Sequence, residues 1–297
     1  MKKVYKFCVA ILLIAIVFIS IFYIYKKEEN SKIAYRGICG ENVEWLLNKE
    51  GTLIIRRTSI FSRKCKVYDY CHYDDREENP APWDNLLSYI KKIEIKEGIT
   101  EIGNYSFYNN QKCNEIILPD SLEIIGDGSF MDCGVEHITL PENLKVIGEK
   151  AFSGCSNLQE ITIPPKVTEW GYCSFNAAGI RTLNISEGIE KIGSMAFCSC
   201  TDLEKVVLPS TLKNLGNDTF SGCEKLKEIK IPEKVKGIPE LCFSGCFNLE
   251  KVELPKNLEF IGSGAFDRCN SLKELKLPND KVIIKGDGLP KNINVTK

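Results

Sequence analysis

Eight phenylalanines recur along this chain at a nearly fixed spacing, and that spacing limits what it can fold into more than any other feature. Phe107, Phe130, Phe152, Phe175, Phe197, Phe220, Phe243 and Phe266 follow one another at intervals of 23, 22, 23, 22, 23, 23 and 23 residues. A period in the twenties is the mark of stacked supersecondary units, each touching only its neighbours. An apolar-Gly pair or its substitute precedes each Phe: Ile102-Gly103, Ile125-Gly126, Ile147-Gly148, Trp170-Gly171, Ile192-Gly193, Leu215-Gly216, Ile238-Pro239 and Ile261-Gly262. The glycine reads as a turn.

Three positions after the Phe stands a small residue, usually Cys, and then an alternating apolar run that usually ends at Pro. Leu158-x-x-Ile161-x-Ile163-Pro164 is one example. Alternation with period two puts the apolar side chains on one face of a short strand, and the proline closes the run. The same strand recurs at Ile93/Ile95, Ile116/Leu118, Ile138/Leu140, Leu183/Ile185, Val206/Leu208, Ile229/Ile231, Val252/Leu254 and Leu275/Leu277. Stacked about 4.8 Å apart, these strands would make a parallel sheet. A second extended piece, such as Val235-x-x-Ile238, would form the opposite wall.

The consensus A-F-x-G-C-x-x-L-x-x-I-x-I-P, with I-G four residues before the Phe, resembles the BspA-type leucine-rich repeat proteins over roughly residues 93 to 285. That resemblance implies a right-handed solenoid, usually on cell surfaces, that binds proteins, matrix or other cells. It carries over no functional residues, because the repeated positions are the core and a binding face is built from the variable ones. The expected fold is a leucine-rich repeat solenoid, mainly β with short helical turns. It has about eight repeats forming one long parallel sheet behind an N-terminal cap, preceded by one transmembrane helix.

The helix is expected from Phe7 to Tyr25, which carries no charge. Nineteen helical residues span roughly 28 Å, close to the hydrocarbon thickness of a bilayer. Lys2, Lys3 and Lys6 precede it, while Lys26-Lys27 is offset by Glu28-Glu29, so the charge bias places the N-terminus in the cytoplasm and the repeats outside. A cleaved signal peptide, and hence a secreted protein, is the alternative, although no small-x-small cleavage site follows the apolar run. The division read from the chain is 1–6 cytoplasmic N-terminus, 7–25 transmembrane signal-anchor, 26–38 linker, 39–92 N-terminal cap, and 93–297 solenoid with a closing turn. In the cap, Cys39-Gly40, Trp45, Gly51-Thr52-Leu53 and Pro82-Trp83 resemble the entry segment that often precedes these repeats.

Of the 14 cysteines, Cys133, Cys155, Cys200, Cys223, Cys246 and Cys269 share the position three after the Phe, where Ala178 stands in another repeat. A place that accepts alanine wants a small apolar filler, so these six read as a ladder of buried thiols rather than as disulfides or metal ligands. Cys39, Cys65, Cys71 and Cys113 lie outside that register. In an exported chain they could form one or two disulfides, with Cys65–Cys71 the first choice.

With 39 basic and 40 acidic residues, no field exists that would hold nucleic acid. The two histidines, His72 and His137, leave little from which to build a nucleophile-His or multi-His metal site. No phosphate-binding loop and no H-E-x-x-H motif occurs. Neither cofactor, metal nor catalysis is expected. Outward strand positions would line one continuous face whose centre is its least charged part: Glu160, Thr162, Thr182, Asn184, Lys205 and Val207. The reading is a cell-surface binding module that holds a protein or glycan partner on this face. A structural spacer of the cell envelope is the alternative, and an enzyme acting through the cap a third possibility.

Overall fold

The computed structural model describes residues 32–59, 61, 65–71, 79–290 and 293–296. It opens with an antiparallel meander of β1 (Ile33–Gly40), β2 (Val43–Asn48) and β3 (Thr52–Arg57). β1 thus begins within the stretch read as linker. β3 then pairs in parallel with β4 (Lys92–Ile95), placing Leu53 beside Ile93 and Ile55 beside Ile95. The meander therefore turns into the first rung of the solenoid, and its side chains Trp45, Leu47, Leu53 and Ile55 bury the end of the repeat core.

From β4 onward the chain coils, and most turns contribute one strand to a first wall. Parallel strands at Glu115–Ile117, Glu160–Ile163, Thr182–Ile185, Lys205–Val207, Glu228–Lys230, Lys251–Glu253, Glu274–Lys276 and Asn294–Thr296 form the first wall. Exposure alternates along them as the sequence requires: Ile161 and Ile163 are buried, Glu160 and Thr162 exposed. A second wall consists of two-residue strands, among them Glu101–Ile102, Ile124–Ile125, Val146–Ile147, Gly237–Ile238 and Phe260–Ile261.

The third wall carries the phenylalanines. All eight are fully buried, and successive rings stack with centroids 5.0–5.8 Å apart and planes within 15° of parallel. Every second backbone N–H here donates to the next turn: in one turn Lys150, Phe152 and Gly154 donate to the carbonyls of Tyr172, Ser174 and Asn176 at 2.9, 2.7 and 2.8 Å. To aim alternate amides the same way within a tight bend, the residues two before and two after each Phe adopt left-handed φ of 51–73°. Glycine fills five of these sixteen places, while Tyr105, Lys150, Met195, Leu241 and Arg268 are among the residues that fill the rest.

Three expectations are corrected. The fold was expected to include a transmembrane helix, but among the described residues no helix is long and apolar enough to cross a membrane; residues 7–25, on which it was placed, lie outside them. The single long sheet is interrupted. Around residues 136–140 only one bridge, Glu115 to His137, joins the rungs, where the bonds from Glu136 N to Asn114 O and from Gln159 N to Glu136 O stretch to 3.3 and 3.4 Å. Further breaks in the ladder follow Lys205–Val207 and Lys251–Glu253. Among the described residues the repeats also carry no helical turn: Asp84–Tyr89 in the cap is a 3-10 helix, but the Phe segments are the left-handed bends just described.

The glycine before each Phe has a different reason from the turn expected of it. The φ of Gly148 and Gly171 is not left-handed. A Cβ on Gly148 would lie 2.6 Å from the backbone nitrogen of Asp127, and one on Gly171 would lie 2.1 Å from that of Glu149. Neighbouring turns touch backbone to backbone at this corner, so a Cβ is crowded at these two glycines, while Pro239 fills the corresponding place in another turn.

Candidate binding face

The six residues chosen for the centre of the face come together on one three-stranded piece of sheet. In register, Thr182 lies between Glu160 and Lys205, and Asn184 between Thr162 and Val207. They form two parallel columns of three, because side chains that skip one residue along a strand share a face. Val207 is 44% exposed. Beneath them Ile161, Leu183 and Ile185 pack into the core.

Charge is arranged unevenly along the face. Toward the N-terminal end Lys92 Nζ bonds Glu115 Oε1 at 2.7 Å, and Lys96 pairs with Glu94. Toward the C-terminal end Lys251 Nζ lies 2.6 Å from Glu253 Oε1, and that bond holds the Glu253 carboxyl below its ordinary range. Between them, among the described residues, Glu160 and Lys205 have no ion-pair partner; Thr182 separates them. Where the sheet opens near His137, a shallow groove of about 580 Å³ runs alongside, lined by Ile117, His137, Thr139, Glu160 and Thr162 among others.

The six ladder thiols are all buried. Each Sγ donates to the carbonyl of a Phe one turn back: Cys133 to Phe107, Cys155 to Phe130, Cys200 to Phe175, Cys223 to Phe197, Cys246 to Phe220 and Cys269 to Phe243, at 3.1–3.3 Å. Five of these carbonyls also accept the backbone N–H three residues on, and Phe107 O accepts from the Asn110 side chain, so the thiol supplies each with a second hydrogen bond. Burial pushes Cys155, Cys200 and Cys269 up to about 12 and the other three upward as well. Such thiols are poor nucleophiles and poor metal ligands.

Cys65 and Cys71 are both free thiols in the structure, Cys65 fully buried and Cys71 half-buried; Cys39 and Cys113 are free as well. Cys113 belongs to the repeat core, its thiol donating to Glu115 O at 3.3 Å. His72 lies outside the described residues, and His137 is exposed on the sheet face. Among the described residues no three of His, Cys, Asp or Glu are grouped so as to hold a metal ion.

One residue with a core role was hidden from the sequence. Trp83 stacks on Phe107 with centroids 5.3 Å apart and planes 10° from parallel, while Trp45 and Tyr70 meet it edge-on at 5.9 and 5.8 Å. It is the first rung of the aromatic column, and its indole N–H donates to Ser106 O at 2.9 Å. Its place 24 residues before Phe107 was the available signal.

Compared with known proteins, residues 85–204 and 190–288 match the model of the BspA type leucine rich repeat region, in six copies. Among solved structures, a leucine-rich repeat protein from Bacteroides ovatus ATCC 8483 is 28% identical, with a TM-score of 0.54 over 86% of this chain and 66% of that one. The chain thus spans a little under two thirds of the Bacteroides protein. A leucine-rich repeat protein from Eubacterium ventriosum ATCC 27560 is 19% identical, with a TM-score of 0.46 over 86% of this chain and 95% of that one. The pneumococcal vaccine antigen PcpA is 21% identical, with a TM-score of 0.46 over 90% and 82%. No curated protein sequence matches the chain.

Proposed function

Because the chain belongs to the BspA-type leucine-rich repeat family, we propose that it serves as a binding module at the cell surface, holding a protein or glycan partner against the strands Glu160–Ile163, Thr182–Ile185 and Lys205–Val207. The observation that carries this reading is the contrast along the face. Lys92–Glu115 toward one end and Lys251–Glu253 toward the other form ion pairs within the face, whereas Glu160 and Lys205 at the centre have no such partner among the described residues. Thr162, Thr182 and Asn184 beside them supply hydroxyl and amide donors and acceptors, and Val207 supplies apolar area. A partner that covers this centre desolvates fewer charges than one that covers either end. No bond-making step is part of the proposal.

The test is capture of envelope proteins, matrix proteins and a glycan panel by the immobilised full chain. Saturable capture of one species is expected, weakened at least tenfold in Asn184→Arg and Val207→Arg, since bulky charge at the centre of an interface strikes the contacts that matter most. Both side chains point away from the core, so unchanged melting separates lost binding from lost folding. Capture that survives both substitutions would move the interface elsewhere. A chain that captures nothing would favour a spacer role, for which the ion-paired ends of the face are equally suited.

A further inference from the structure

The outer side of the Phe wall presents two columns of side chains, from the positions two before and one after each Phe. In the first turn these are Tyr105 and Tyr108, whose rings meet edge-on with centroids 6.4 Å apart. The two columns therefore leave the backbone on the same side and within reach of each other. Two adjacent turns in the middle of the molecule place sulfur at three of these positions: Cys173 and Met195, two before Phe175 and Phe197, and Cys198, one after Phe197.

The three sulfurs are held by the backbone of the wall. Cys173 Sγ lies 3.7 Å from Met195 Sδ across the turn boundary. The bend that carries Met195 and Cys198 is closed by Cys198 N donating to Met195 O at 3.1 Å. Both Cys173 and Met195 are fixed in the left-handed region, with φ of 58° and 54°, and their amides are tied to the next turn through Ser194 O and Asn217 O at 3.3 and 2.8 Å. Cys198 follows Phe197 as Tyr108 follows Phe107, so it leaves the same bend as Met195, and its Sγ lies 3.6 Å from Ser199 Oγ. Unlike the ladder thiols, this group meets solvent: Cys198 and Met195 are half-buried, and Cys173 is 8% exposed.

We propose that Cys173, Met195 and Cys198 form a binding site for copper(I). Two thiolates and a thioether are a soft donor set, which suits copper(I), and no carboxylate or imidazole is among the three donors. Binding requires each thiol to lose its proton to solvent, so two protons leave as one ion enters, with no change of oxidation state.

The experiment uses the full chain, reduced and then desalted without oxygen, titrated with copper(I) held by a colorimetric chelator. One equivalent is expected to pass from chelator to protein. Cys173→Ser and Cys198→Ser are expected to abolish the transfer, and Met195→Leu, which keeps the volume, to weaken it about tenfold or more. Cys71→Ser, a half-buried thiol in the cap, should leave it unchanged. Circular dichroism of each variant separates loss of the site from loss of the fold. No transfer to the reduced chain, or a transfer that survives in Cys173→Ser/Cys198→Ser or is lost in Cys71→Ser, would overturn the assignment.

Discussion

Phe197 sits between the rings of Phe175 and Phe220, 5.3 and 5.8 Å away, with the edge of Trp170 at 6.0 Å. A ring in such a column cannot be replaced by water or by a neighbour moving in, since the backbone of both adjoining turns is pinned by the amide ladder. Phe197→Ala should therefore cost about 3–5 kcal/mol, read as a drop in the urea midpoint. The left-handed positions predict the opposite sign. Leu241 holds φ of 54° and is 40% exposed, and the same place in the next turn is Gly264. A left-handed leucine costs about 1–2 kcal/mol, from which the greater freedom of an unfolded glycine is subtracted. Leu241→Gly should leave the melting temperature level or raise it, unlike glycine substitutions elsewhere in the repeats. The burial of Phe197 was legible in the sequence because every turn repeats it. The strain at Leu241 was not, because eleven different side-chain choices fill those sixteen places and no residue type marks them.

Among elements, the cysteine ladder links sequence to stability most directly. The folded state keeps these thiols protonated, with Cys155, Cys200 and Cys269 pushed up to about 12 from an ordinary 9.0. The unfolded chain ionises them from about pH 9. The folded state thus binds more protons in that window, and the stability the thiols contribute, complete below pH 9, is lost as pH rises toward 12. Each thiol is expected to cost on the order of 1 kcal/mol per pH unit there. Urea midpoints measured at about pH 7.5 and about pH 10.5 should fall sharply between the two, and Cys155→Ala or Cys200→Ala should shrink the fall, since Ala178 shows that alanine fits this position. In native protein a thiol reagent should label Cys71 and Cys198, which are half-buried, and reach the six ladder thiols only after unfolding. That these six are fillers was readable from Ala178. That each bonds a specific Phe carbonyl was not, because donor and acceptor lie 25 or 26 residues apart.

For the whole molecule, stability passes from turn to turn, and the N-terminal cap decides whether the first turn survives. Trp83→Ala removes the first ring of the column and leaves Ser106 O without its indole donor. A loss of about 3–5 kcal/mol is expected, with hydrogen exchange quickening around Phe107 before it does around Phe243, as nearest-neighbour coupling requires. The sequence alone determined the period, the burial of one Phe and one apolar strand pair per turn, and the small residue behind each Phe, because every turn solves the same packing problem and repeats its answer. The tertiary structure alone decided the rest. It placed Trp83 in line with the phenylalanines, opened the sheet beside His137, set the left-handed bends under Lys150, Met195 and Leu241, and brought Cys173 to 3.7 Å from Met195. Each of these depends on how closely one turn sits on the next, a distance fixed by backbone contact between residues more than twenty places apart and written in no single repeat.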